Sequence, residues 1–175
     1  MSLIDLIILG IVSEKPQSAY DIQKDVEYHH LDRWTKISTP SIYTLKEKNY
    51  LTTDVVKNGK FAEKSIYSIT NKGIEYFQEL MEKYSEQEIT IPINFNVVIS
   101  NLNKMSKPKA LELINKIRDN IIKAQGNNKK YTELYSDIPL TGRTIFKQQA
   151  ALYSSLLDWM SEFETEFLKD LKNGE

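Results

Sequence analysis

The sequence feature that most constrains the fold is a short β-hairpin signal that stands among helical segments. Asn58-Gly59 favours a two-residue hairpin turn, because both residue types accept a positive φ. Residues 50–56, before the turn, are rich in β-branched side chains. After it, residues 64–69 have an extended pattern that puts Tyr67 and Ile69 on one face. We therefore predict two antiparallel strands joined at this turn.

Four helices are predicted around the hairpin. The first two begin at pairs of Ser and Asp three residues apart, which is the spacing of a capping box. The third begins at Ser38-Thr39-Pro40, and the fourth is capped by Thr70. The expected ranges are residues 3–12, 18–29, 40–48 and 70–88. This order of elements is typical of a winged helix-turn-helix domain, and any small α+β domain with a hairpin is the alternative.

The charge of the chain is unevenly distributed, although its net value is only -1. Residues 33–64 carry 7 Lys and Arg but 3 Asp and Glu, whereas residues 1–32 carry 2 Lys and 6 acids. This basic segment covers the third helix and the hairpin. A local excess of positive charge favours nucleic-acid binding, with an ordinary solvated surface as the alternative.

The C-terminal half is predicted to be helical, with long helices over about residues 107–124 and 144–172. The second of these has two adjacent apolar stripes, which is a broader face than one neighbouring helix covers. We expect a second copy of the chain to cover it by two-fold symmetry, and a self-contained helical hairpin is the alternative. The expected interface residues are Leu152, Tyr153, Leu156, Trp159, Met160 and Phe163.

Several separated motifs resemble the PadR-like family of transcriptional regulators, and the C-terminal half resembles its virulence-activator type in layout. The motifs are Ile7–Ser13, Ala19–Ile22, Arg33-Trp34, Ser41–Tyr43 and Lys64–Gly73. Two features depart from the family. Ala19 stands where relatives usually have glycine, and the segment after Tyr43 is about four residues shorter, slightly more than one helical turn. The shortening leaves the orientation of Lys46 and Lys48 open.

The resemblance implies a fold that is mainly α with a small β-hairpin. Residues 1–88 would form a DNA-binding winged helix-turn-helix, and residues 89–175 an antiparallel helical dimerisation domain. A homodimer would read an inverted repeat in double-stranded DNA, with the third helix in the major groove and the wing at phosphates. The predicted DNA contacts are Lys36, Ser38, Thr39, Ser41, Tyr43, Thr44, Lys46, Lys57, Lys60 and Lys64.

Two further interpretations extend or rival this one. Some relatives respond to small aromatic ligands, and an apolar cavity between the domains could be lined by Tyr20 and Trp34, together with Tyr153 and Trp159. Aromatic residues that only fill the core are the alternative. The rival function is a winged-helix module that binds proteins and not DNA.

Residue usage argues against the remaining classes. With no cysteine, disulfides and thiolate metal sites are excluded, and a reducing compartment such as the cytoplasm is favoured. His29 and His30 are adjacent, so on a helix they point about 100° apart and pair poorly on a metal. Because phosphate-binding loops and serine elbows are also absent, we expect neither an enzyme nor a cofactor. No apolar run reaches the roughly 20 residues of a membrane span.

Overall fold

The computed structural model describes residues 2–28, 38–56 and 63–173, with side chains through residue 170. These residues form two compact units, which divide between Thr90 and Ile91. The Asn58-Gly59 turn lies outside the described residues, as do residues 33–37 at the start of the basic segment. Within the described residues, no helix has both the length and the apolar character that a membrane crossing requires.

The first unit has the predicted order of helices and strands. Its elements are α1 (Leu3–Glu14), β1 (Gln17–Ser18), α2 (Ala19–Tyr28), α3 (Thr39–Glu47), β2 (Leu51–Val56), β3 (Lys64–Ile69) and α4 (Asn71–Ser85). The sheet is antiparallel in the order β1-β3-β2, and Leu51 of β2 is opposite Ile69 of β3. The predicted fold class, mainly helical with a small hairpin, is confirmed. The sequence pattern did not indicate β1, which pairs Gln17 with Tyr67.

Helix α1 lies at the centre of this unit and packs against α2, α3, α4 and β3. This position agrees with its sequence, which is apolar on most sides. Helices α2 and α3 each contribute an inner stripe, and the sheet contributes Leu51 and Tyr67. The buried residues of this core are Ile8, Leu9, Val12, Ile22, Ile42, Leu45, Leu51, Tyr67, Tyr76 and Leu80.

The expected capping box at the start of α1 is only partly present. The Ser2 hydroxyl accepts a hydrogen bond from the Ile4 N–H at 3.1 Å. The Asp5 carboxylate instead accepts from the phenol of Tyr76 in α4, at 3.0 Å. Burial, and then the Asp5 carboxylate, raise the pKa of Tyr76, so the phenol stays protonated and donates this bond. The Tyr76 ring also stacks on Tyr50, with centroids 4.2 Å apart.

The end of α3 is joined closely to the start of α4. Asn49 has φ 61°, a left-handed conformation that asparagine tolerates and that ends the helix. The Thr70 hydroxyl donates to the Asn49 carbonyl at 2.8 Å and accepts from the Gly73 N–H at 3.0 Å. A Cβ at Gly73 would lie 2.1 Å from the Tyr50 carbonyl oxygen. Only glycine therefore permits this close approach.

The second unit is a helical hairpin with a short preceding helix. It contains α5 (Asn96–Ile99), a 3₁₀ turn (Leu102–Lys104), α6 (Lys107–Leu134) and α7 (Leu140–Asn173). Arg118 pairs with Glu164 and Asn128 bonds to Phe146, so α6 and α7 run antiparallel. The buried residues of its core are Leu102, Ala110, Ile114, Ile117, Ile121 and Met160.

Both long helices extend beyond their predicted bounds. Helix α6 continues through Gly126, where the sequence indicated a break near residue 124. It continues because Asn128 is buried and its Nδ2 donates to the Phe146 carbonyl at 2.9 Å. Helix α7 begins at Leu140 and not Thr144, since the Pro139 carbonyl accepts from the N–H groups of Gly142 and Arg143. Pro139 therefore lies directly before the first turn of the helix.

Replacing Gly126 by alanine should stabilise the protein. Gly126 is exposed within α6, and a Cβ there would meet no atom within 4 Å. Alanine restricts the unfolded backbone and favours the helix, so we expect a gain of about 0.5–1 kcal/mol in the free energy of unfolding. Urea denaturation of the full chain measures this change. A loss of stability would show that α6 is interrupted at this position.

Candidate nucleic-acid interface

The start of α3 presents three hydroxyl groups in one turn. Ser38 has the extended backbone of a helix cap, but its side chain makes no capping bond. Its Oγ lies 3.3 Å from the Oγ of Ser41, and the Ser41 N–H donates to the Ser38 carbonyl at 3.0 Å. Thr39 Oγ1 accepts from Nε2 of Gln23 in α2, at 3.0 Å. Ser38, Thr39 and Ser41, which the sequence indicated as DNA contacts, therefore lie together.

The outer face of α3 is formed by residues that recur at helical spacing, namely Pro40, Tyr43, Thr44 and Glu47, all of which are exposed. The opposite face buries Ile42 and Leu45 in the core. Thr44 donates its proton to the Pro40 carbonyl at 3.0 Å, so its oxygen is left to accept from a ligand. The helix therefore offers a solvent-facing surface and a separate packing surface.

Tyr43 lies on the outer face of α3 and also packs against the sheet. Its ring packs edge-on against Tyr67, with centroids 6.4 Å apart, and the residue remains 49% exposed. Burial, and then the neighbouring Tyr43, raise the pKa of Tyr67, which stays neutral in the core. Tyr43, a predicted DNA contact, therefore combines an exposed part with a part that packs on the sheet.

Lysines flank the C-terminal end of α3. Lys46 and Lys48 are exposed, and Lys46 has no acidic partner among the residues that the structure describes. Lys72 of α4 donates to the Lys48 carbonyl at 3.0 Å, and its Nζ lies 4.9 Å from the centre of the Tyr50 ring. Sequence reasoning missed Lys72, because the contact joins residues 24 positions apart.

The predicted wing contact Lys64 has a partner within the chain. Its Nζ donates to Asp21 Oδ2 of α2 at 2.7 Å, and Ser18 donates to the same oxygen at 2.7 Å. Lys64, and then Ser18, lower the pKa of Asp21. The pair therefore stabilises the fold above the pKa of an unfolded aspartate, and this contribution is lost as the pH falls through the lowered value. Half of the Lys64 side chain remains exposed.

Four of the predicted site residues lie outside the described residues: Lys36, Lys57, Lys60 and Trp34. Tyr20, another of the residues predicted to line the cavity, lies on the surface of the first unit. The residue is 62% exposed, and the Lys24 Nζ lies 4.7 Å from the centre of its ring. Among the residues that the structure describes, no cluster of His, Asp and Glu could hold a metal ion. His29 and His30 are not among them.

The predicted dimer-interface residues divide into two groups. Met160 is fully buried against α6, so its side chain is not available to a partner. The other five keep exposed area, and Leu152 is exposed by 40%. Trp159 stacks on Phe95 and Phe163, at 6.1 and 5.6 Å between centroids. The apolar side chains of α7 thus fill the core of their own unit, and those other than Met160 keep part of their area exposed.

The element order, the three-stranded sheet and the outward face of α3 define the first unit as a winged helix-turn-helix domain. Solved structures with a similar fold include those of PadR-like transcriptional regulators and of a virulence activator. The chain is similar to Bacillus subtilis PadR in complex with operator DNA, with a TM-score of 0.77 and 16% identity, covering 93% of this chain and 97% of that chain.

Two further solved structures share this fold. Bacillus subtilis PadR in complex with p-coumaric acid matches with a TM-score of 0.74 and 15% identity, over 93% of this chain and 96% of that chain. The Vibrio cholerae virulence activator AphA matches with a TM-score of 0.66 and 14% identity, over 95% and 98%. No family model and no curated protein sequence matches the chain. The resemblance seen in the sequence is therefore confirmed at the level of the fold.

Proposed function

We propose that this protein is a sequence-specific regulator of transcription that binds double-stranded DNA. The observation that carries the proposal is the division of α3 into a buried face, with Ile42 and Leu45, and an exposed outer face, with three half-buried hydroxyls at the start of the helix. In a helix-turn-helix, the second helix of the pair enters the major groove, and in this domain that helix is α3. The likeness to a structure solved with operator DNA supports the same assignment.

We propose that the regulator acts as a homodimer, with residues 1–88 binding DNA and residues 89–175 dimerising. Support comes from the apolar area of α7 that stays exposed after the helix packs on α6, such as that of Leu152. A two-fold dimer presents its two reading helices to successive turns of DNA, about 34 Å apart. The operator is then an inverted repeat, with one half-site for each α3.

Selection of bound DNA from a random pool tests the proposal directly. We expect enrichment of a pseudo-palindrome whose half-site centres are one helical turn apart, about 10 base pairs. The full chain is used, and its mass in solution is measured by sedimentation. A pool that shows no enrichment, together with a chain that sediments as a monomer, would contradict both parts of the proposal and favour a protein-interaction module.

A small aromatic effector extends the proposal. Bacillus subtilis PadR has been solved with p-coumaric acid, and this chain has Trp159 within an aromatic cluster in its second unit. Titration of tryptophan fluorescence with aromatic acids is the test. A saturable change that also releases DNA supports an effector, and no change over the titration contradicts it.

The pairing of Lys64 with Asp21 predicts unequal contributions from the lysines of the interface. Lys64 is already neutralised, so Lys64→Ala should change DNA affinity by no more than about twofold. Lys46→Ala should cost more and reduce the salt dependence by about one counterion per chain. Asp21→Asn should strengthen binding, because it frees the ammonium group for a phosphate. Fluorescence anisotropy with a labelled operator measures all three.

The control for this comparison is the thermal stability of each variant, since Asp21 also contacts Ser18. A loss of affinity in Lys64→Ala that equals the loss in Lys46→Ala would show that Lys64 leaves Asp21 when DNA binds. Weaker binding by Asp21→Asn at unchanged stability would show that the pair positions the wing and does not compete with DNA.

A further inference from the structure

A side-chain contact joins the two helices of the helix-turn-helix outside their apolar core. Gln23 is in the first half of α2, and Thr39 is the first residue of α3. Gln23 Nε2 donates to Thr39 Oγ1 at 3.0 Å, across 16 positions of sequence. Both residues are half-buried, at the edge of the surface that α3 presents. The contact therefore orders a hydroxyl where the core meets the proposed DNA interface.

The direction of this hydrogen bond determines whether the Thr39 hydroxyl donates or accepts in a further hydrogen bond. A threonine hydroxyl has one proton to donate and lone pairs to accept with, and a Gln Nε2 group only donates. Thr39 accepts from Gln23, so its own proton remains to be donated. Thr39 Oγ1 donates a hydrogen bond to none of the residues that the structure describes. Ser38 and Ser41 differ, because either of their hydroxyls can donate to the other at 3.3 Å.

We propose that Gln23 is a positioning residue that orients the Thr39 hydroxyl as a donor toward a DNA phosphate. The inference rests on the proposed function and names a residue that does not itself reach the DNA. Phosphate oxygens only accept hydrogen bonds, so a hydroxyl whose acceptor side is already occupied matches them in polarity. The contact fixes register on the backbone and carries no base preference.

A double-mutant cycle on the full chain tests this role. Gln23→Leu removes the donor at similar size, and Thr39→Val removes the hydroxyl and keeps the branched shape. Each should lower affinity for the selected operator by about fivefold per half-site, the value of one ordinary hydrogen bond. The double variant should lose no more than either single variant, because both remove the same contact to phosphate. Thr39→Ser keeps a hydroxyl and should bind like the wild type.

Three readouts separate positioning from a merely structural role. Gln78→Leu, at an exposed position of α4, is the matched control and should leave affinity unchanged. The salt dependence of Gln23→Leu should equal that of the wild type, since a neutral hydroxyl displaces no counterion. Thermal unfolding of each variant shows whether the fold is kept. Equal preference among operator variants confirms a backbone contact.

Each outcome decides the proposal. Additive losses in the cycle, or an undiminished affinity of Gln23→Leu, overturn the role of Gln23 while the wild type still binds DNA. A wild type that binds no duplex overturns the proposed function itself. If Gln23→Leu does not fold, Gln23→Glu replaces it, because a carboxylate accepts a hydrogen bond from the Thr39 hydroxyl and so reverses the direction of the bond. The loss of operator affinity caused by Gln23→Glu should then be larger in the wild-type background than in the Thr39→Val background. Equal losses in the two backgrounds overturn the proposal.

Discussion

Replacing Gly73 by alanine should destabilise the protein by about 3 kcal/mol and lower its melting temperature by roughly 10 °C. The added Cβ would lie 2.1 Å from the Tyr50 carbonyl oxygen and 2.8 Å from Cγ1 of Ile69. The side chain of Ile69 has some freedom to move, but the carbonyl of Tyr50 does not, because it accepts a hydrogen bond from the N–H of Thr70 at 3.1 Å. Backbone must therefore shift. Thermal and urea denaturation of the full chain measure the loss.

Gly126→Ala is the matched control for this experiment, since it makes the same chemical change where a Cβ meets nothing. The two variants should move the free energy of unfolding in opposite directions. An unchanged melting temperature for Gly73→Ala would mean that the close approach of α4 to Tyr50 does not exist in solution. The same result would remove the reason why glycine occurs in the first turn of α4.

Raising the salt concentration from 50 to 200 mM should weaken operator binding by about a thousandfold. This expectation follows if a dimer neutralises about six phosphates, which gives a slope near -5 for log affinity against log salt. The cations would come from the basic segment around α3 and the hairpin, including Lys46 and Lys48. Anisotropy titrations at four or more salt concentrations measure the slope.

A competing duplex of unrelated sequence is the control for the salt titration. Its affinity should fall with nearly the same slope, because phosphate contacts do not depend on sequence. A flat dependence on the operator would remove the electrostatic part of the proposed function. It would leave only a direct contact between α3 and base edges to account for any affinity.

Local sequence signals were sufficient for the elements that form the interface. Ser38-Thr39-Pro40 indicated the start of α3 within one residue, and β-branched residues indicated β2 and β3. These features depend on backbone preferences of neighbouring residues, which a single sequence displays. The grouping of hydroxyls at the start of α3 followed from the same signal.

Features that depend on distant parts of the chain could not be predicted. Strand β1 has two residues and exists only because β3 lies beside it. The partners of Lys64 and Thr39, which are Asp21 and Gln23, lie 43 and 16 positions away. Helix α6 passes Gly126 because tertiary contacts outweigh a local preference of about 1 kcal/mol. In each case packing, and not propensity, decided the result.

The separation of packing and exposed faces on α3 also affects how this protein could acquire new targets. Ile42 and Leu45 anchor the helix, whereas Pro40, Thr44 and Glu47 have no place in the core. Mutations at these three outward positions should leave the fold intact while they change the chemistry offered to a groove. On the proposed function, such mutations would change which DNA sequence is bound without first requiring a new scaffold.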